Sequence, residues 1–138
     1  MLISDAGKAV YFNEKDARPM GRDTRGVKGI TLEEKQSVIA LIMPNNDNEI
    51  LTVSENGFGK RSKVEDFRKT KRGAKGVIAM QLSERNGKLI SANQVSEENQ
   101  VILISNKGTL VRTKVSEISV IGRNTQGVRV IKLKANEK

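Results

Sequence analysis

The chain has 138 residues, about one domain, and carries 25 Lys+Arg against 16 Asp+Glu, a net charge of +9. It contains no cysteine and no histidine, which excludes disulfide frames, thiolate or imidazole metal sites, Cys nucleophiles and His-based acid–base catalysis. There is no Trp, and Tyr11, Phe12, Phe58 and Phe67 are its only aromatic residues, too few for an extended base-stacking surface. Val and Ile number 25 against 9 Leu, and that β-branched excess favours strands. No apolar run approaches the ~18 residues of a membrane span. The start, MLISDAGKAV, has neither the charged nor the apolar region of a signal peptide. The expectation is a soluble, cytoplasmic protein.

In chain order the first unit is predicted to open with a strand at 1–3 and a Ser4-Asp5-Ala6-Gly7 turn. A return strand at 8–12 follows, then a basic stretch ending at Gly26-Val27, a third strand at 27–32, a charged turn, and a fourth strand at 37–43. Thr31-x-x-Glu34 has the spacing of a helix capping box, but its place in the unit favours the turn. The second unit repeats this order: strand 51–53, turn Ser54-Glu55-Asn56-Gly57, strands 58–62, 77–82 and 89–95. The third has strand 102–104, turn Ser105-Asn106-Lys107-Gly108, and strands 109–113 and 128–133. The turn glycines Gly7, Gly57 and Gly108 each precede a Gly-Val pair, at Gly26, Gly76 and Gly127, by 19 residues. An arginine, Arg22, Arg72 or Arg123, stands four residues before each of those pairs. The repeats run approximately 1–49, 50–100 and 101–138, the last incomplete. Four strands in about 50 residues describe a propeller-like blade. The fold class is all-β: a partial array of about three four-stranded antiparallel blades, with the look of a segment of a longer array.

Positive charge recurs at one phase of the repeat. The windows 7–26, 57–76 and 108–127 carry +2, +6 and +2, while the other 78 residues sum to −1. Solubility needs net charge, but not charge confined to one phase of a repeat. A periodic basic rim suits a periodic polyanion, and duplex DNA is the obvious one, bound through its phosphates without base reading. The candidate contacts are Arg22, Arg25, Lys60, Arg61, Lys63, Lys71, Arg72, Lys75, Arg112, Lys114 and Arg123. Arg72-Gly73-Ala74-Lys75-Gly76 lacks the Ser/Thr of a Walker loop. No carboxylate or hydroxyl group repeats or clusters as a catalytic site, and no metal site is expected.

Longer strings carry a family resemblance. GRDTRGVKGI (21–30), NGFGKRSKVEDF (56–67), TKRGAKGVIAMQLSERNG (70–87) and GTLVRTKVSEISVIGRNTQGV (108–128) resemble the C-terminal domain family of DNA gyrase A subunits, over essentially all of 1–138. The resemblance implies a β-pinwheel whose neighbouring blades exchange strands and whose basic edge wraps duplex DNA. It also implies partners outside the chain, the breakage-reunion domain of the gyrase A protein and the gyrase B subunit, in a bacterial, chromosome-associated enzyme. No cofactor is implied here; ATP and Mg belong to other domains or the partner subunit. Thr70-Lys71-Arg72-Gly73-Ala74-Lys75-Gly76 is similar to a degenerate copy of the family's Gln-Arg-Arg-Gly-Gly-Lys-Gly box, with Thr70 and Ala74 departing from it. The undegraded box is expected upstream.

Two alternatives remain open: the corresponding domain of the topoisomerase IV A protein, and a propeller that binds proteins through an apolar or acidic rim. The repeat reading further expects positive φ at the three turn glycines. It expects sheets left incomplete at both ends, lacking a contributor in the first blade and the fourth strand in the third, so that the chain pairs or dimerises through open edges.

Overall fold

The computed structural model describes residues 1–138. Its strands are β1 (Leu2–Ser4), β2 (Lys8–Val10), β3 (Val38–Leu41), β4 (Glu49–Ser54), β5 (Phe58–Lys63), β6 (Val77–Ile78), β7 (Leu89–Val95), β8 (Gln100–Ile104), β9 (Leu110–Lys114) and β10 (Val128–Arg129). They form three antiparallel groups in the orders β3-β1-β2-β6, β10-β5-β4-β7 and β8-β9. Each group is built on one of the predicted Ser-x-x-Gly hairpins. Gly7, Gly57 and Gly108 stand at φ 71°, 82° and 84°, as expected, and Gly26, Gly76 and Gly127 are also positive.

The third strand of each repeat leaves its own sheet. β6 pairs with β2, Val77 opposite Ala9, and β10 pairs with β5, Val128 opposite Gly59. Each sheet therefore closes with a strand from the following repeat. This corrects the expected incompleteness at both ends. The first sheet has all four strands, and the third hairpin has neither outer neighbour.

The third strands are also shorter than predicted, two residues each, and 27–32 forms no ladder. A strand persists only while a partner edge runs beside it. Past the pairing, Ala79 N and Met80 N both donate to the Gly7 carbonyl, which ends the regular alternation. In 27–32 the backbone bonds instead join loop 70–76: Thr31 N donates to Ala74 O at 2.9 Å, and Gly73 N to Gly29 O at 2.6 Å. The turn around Glu33-Glu34 is not helical; Lys35 sits there at φ 65°.

Two apolar layers glue the sheets. Met1, Ile3 and Ala9 of the first sheet meet Ile50, Phe58, Leu89 and Ala92 of the second, with Val64, Phe67, Ala79 and Met80 buried among them. On the other face Leu51, Val53 and Val95 meet Val115 and Ile118, with Val101 and Leu103 packed beside them. The second sheet is thus covered on both faces, which accounts for the burial of every β4 residue from Ile50 to Ser54. After each return strand comes a single 3-10 turn, Glu14–Asp16, Val64–Asp66 or Val115–Glu117. No helix is long and apolar enough to cross a membrane.

Candidate nucleic-acid interface

The second half of each window forms a loop, 17–26, 67–76 and 118–127, the last with Arg123 as its one cation, and the second and third are laid onto the preceding repeat. Thr70 N donates to Tyr11 O at 2.7 Å, and Ile121 N to Arg61 O at 2.9 Å. The repeated arginine completes the attachment. Arg72 donates from Nε to Asp16 O at 2.9 Å and from Nη1 to Lys28 O at 3.2 Å. Arg123 donates from Nε to Asp66 O at 3.0 Å and from Nη1 to Ile78 O at 2.9 Å. Asp16 and Asp66 end equivalent 3-10 turns, whose last carbonyls lack partners within the turn. A planar guanidinium can span two carbonyls in one geometry, which an ammonium cannot. The arginine that marks each repeat is therefore a clamp between repeats.

Of the predicted contacts, Arg22, Arg25, Lys63, Lys71, Arg72, Lys75, Arg112 and Lys114 are exposed, and Arg123 is half-buried. Lys63 approaches Glu65 at 3.6 Å, both in solvent, where such a pair holds little. Arg112 donates to Gln100 Oε1. The loops bring Arg22 and Arg25 into the first window and Lys71, Arg72 and Lys75 into the second. Arg112 and Lys114 lie apart from them, on the uncovered third hairpin. Exposed Arg18, Lys28, Arg68 and Lys69 belong to the same layer. All but Lys28 fall inside the charged windows, so the phase of the charge already marked them. Lys69 Nζ lies 5.4 Å from the centre of the Tyr11 ring.

Lys60 and Arg61 are corrections. They are 0% and 3% exposed, inside rather than on the rim. β5 is an interior strand of the second sheet, and loop 118–127 lies over it. Arg61 donates from Nε to Ile118 O at 2.7 Å and pairs with Glu49 at 3.1 Å and Glu97 at 3.7 Å. Lys60 Nζ donates to Gly122 O at 2.8 Å, to Arg123 O, and to Thr125 Oγ1 at 3.1 Å. It has no carboxylate partner in that cage.

Burial, then the Arg123 charge, push the Lys60 ammonium down to about 8, with Asp66 opposing slightly. The unfolded chain holds this proton up to pH near 10.5, so between about 8 and 10.5 it binds more protons than the folded chain, and stability rises with pH. The expected gain across that window is on the order of 3 kcal/mol. Urea denaturation at the two ends of the window measures it. Lys60→Met, whose counterparts Val10 and Val111 show that an apolar side chain is accommodated, should abolish the gain. An unchanged slope in the variant would assign the effect to other groups.

Stacked antiparallel sheets joined by exchanged strands, with a basic loop layer clamped along one edge, define a propeller-type repeat module. The chain belongs to the DNA gyrase C-terminal domain, beta-propeller, family, whose model matches residues 1–45, 48–96 and 99–138. It is 52% identical over 137 residues to the DNA gyrase A protein of Pseudomonas aeruginosa and 48% identical over 137 residues to that of Escherichia coli. Each alignment takes in 99% of this chain, which spans 15% and 16% of the two relatives' lengths. A solved DNA gyrase A C-terminal domain superposes with a TM-score of 0.88 at 31% identity, covering 99% of this chain and 46% of that one. The C-terminal domain of DNA topoisomerase IV superposes at 0.86 and 23% identity over 95% of this chain and 41% of that one, a likeness of fold.

Proposed function

We propose that this chain is a DNA-binding and DNA-wrapping module of a gyrase A protein, serving ATP-dependent negative supercoiling by a type II topoisomerase. The observation that carries the reading is the clamping of loop 67–76 onto the first repeat by Arg72, whose bonds to Asp16 O and Lys28 O bring the exposed cations of 67–76 beside those of 18–28. A duplex laid along that edge meets the cations of the first two repeats, and bending follows if the edge curves. Binding is to phosphates, so it is largely independent of sequence. The chemistry of strand breakage and ATP hydrolysis lies in other parts of the enzyme, the breakage-reunion domain and the B subunit. This chain supplies no cofactor site of its own and works in the bacterial cytoplasm on the chromosome.

The test is a titration of random-sequence duplexes at several salt concentrations. With roughly 5 phosphates neutralised, log K should fall against log salt with a slope near −4.5, about −0.9 per contact. A flat salt dependence would remove DNA binding as the role of this edge and favour a protein-binding propeller.

A further inference from the structure

A cleft on the turn side of the second sheet holds two guanidinium groups that the fold leaves without anionic partners. Arg85 stands in the turn after Leu82, and Arg129 lies in β10 directly opposite Phe58. Both stack on the Phe58 ring, with guanidinium carbons 4.7 Å and 5.3 Å from its centre, so the two are no more than about 10 Å apart. Phe58 is buried beneath them, while both arginines reach solvent. They line one cleft of about 260 Å³ together with Asn56, Lys134, Asn136 and Glu137. Asn56 Nδ2 donates to the Glu84 and Arg85 carbonyls at 3.2 Å each, which pins the turn that carries Arg85.

Neither guanidinium meets a carboxylate; the ion pairs of the chain are made by Arg61, Lys63 and Lys138. The one acid in the lining, Glu137, is already engaged, accepting from Ser105 Oγ and from Lys134 N at 2.8 Å. The joint between repeats does not require this arrangement. At the first joint Lys8 stands in the place of Phe58, Ile78 in that of Arg129 and Lys35 in that of Arg85, and the strands still pair in the same register. There the repeat runs on into β7, and Lys35, Ser83 and Arg85 remain exposed, so a repeat's fourth strand leaves this side open.

A guanidinium stacked on a ring has lost part of its freedom before any ligand arrives, and its fork of donors is preorganised for oxyanions. A carboxylate has two oxygens and fills one fork, whereas a diphosphate offers oxygens on two centres and engages both. We propose that this cleft is a binding site for the diphosphate group of a small molecule, held by Arg85 and Arg129 with Lys134 as a third charge. A nucleic-acid strand fits less well, because Glu34, Glu55 and Glu84 line the adjoining cleft and repel a continuous polyanion. The site stands at the start of β5, and loop 67–76 follows its end, about 17 Å along the strand. Its occupancy is therefore separate from duplex binding at the loop layer.

Titration of the chain with pyrophosphate, followed by calorimetry and by the NMR signals of the arginine Nε–H groups, tests this. The expected result is one saturable site per chain that shifts Arg85 and Arg129. Arg85→Gln with Arg129→Gln should weaken it about a hundredfold, and Arg85→Lys with Arg129→Lys about tenfold, because the charge stays while the forks go. Lys71→Glu with Lys75→Glu, at the other edge, should leave it within about twofold. Urea midpoints matching the parent tie these losses to the site. Pyrophosphate binding that survives the glutamine variant, or that shifts the arginines of the loop layer equally, would mean an adventitious ion only and overturn the proposal. So would Arg85 and Arg129 signals that answer to a short duplex but not to pyrophosphate.

Discussion

Lys71→Glu combined with Lys75→Glu should weaken duplex binding roughly a hundredfold at about 0.1 M salt and make the salt slope shallower by about 2 units. Both side chains are exposed on loop 67–76, and neither ammonium is bonded within the chain, so both are free for phosphates. The loss should be the same for every sequence, since no base is read. Arg72→Lys is the informative partner. It keeps the charge but loses the fork that reaches Asp16 O and Lys28 O. Its salt slope should stay close to that of the parent, while stability falls by about 1 kcal/mol with the lost bonds. Equal affinity in the double lysine variant would remove this loop from the interface.

Gly57→Val should cost about 3 kcal/mol or more in urea denaturation, and Gly108→Val about 1–2 kcal/mol. Both glycines have left-handed backbone, at 82° and 84°, so both substitutions incur the same conformational penalty. They differ in what lies beyond. A Cβ on Gly57 would be 2.5 Å from the Ile131 carbonyl oxygen and 2.9 Å from Ile131 Cγ2, in the segment that follows β10, the strand that closes the second sheet. That segment must move, and Val130 and Ile131 then lose their bonds to the Gly57 carbonyl. At Gly108 the space is open. Equal losses at the two sites would mean that backbone strain alone sets the cost.

The difference between these two glycines also marks how far sequence reasoning reached. The Ser-x-x-Gly turns, their flanking strands and the positive φ were legible because a turn is decided by residues within a few positions of one another. The 3-10 turns after the return strands were not anticipated. Their signal, an apolar residue at each end of an acidic turn, is present in Val64–Phe67 and Val115–Ile118. It is missing in the first copy, where Glu14 and Ala17 stand instead. The repeated arginine was legible as a position but not as a role. Its bonds go to backbone carbonyls 44 to 57 residues away, and a carbonyl leaves no trace in residue identity.

The amino-acid sequence by itself determined the β class, the period of about 50 residues, the hairpins and the phase at which positive charge recurs. These follow from side-chain branching, local turn chemistry and spacing, all of which act along the chain. Only the tertiary structure decided which hairpin receives which third strand, and hence which cations reach solvent. Arg61 and Arg112 hold the same place in their repeats, yet one is 3% exposed and the other lies open. The second sheet is covered on both faces and overlaid by the following loop; the third hairpin is not. Burial is set by what arrives from the neighbouring repeat, and a ladder edge accepts any extended backbone of the right register, so pairing is a property of the assembled layers.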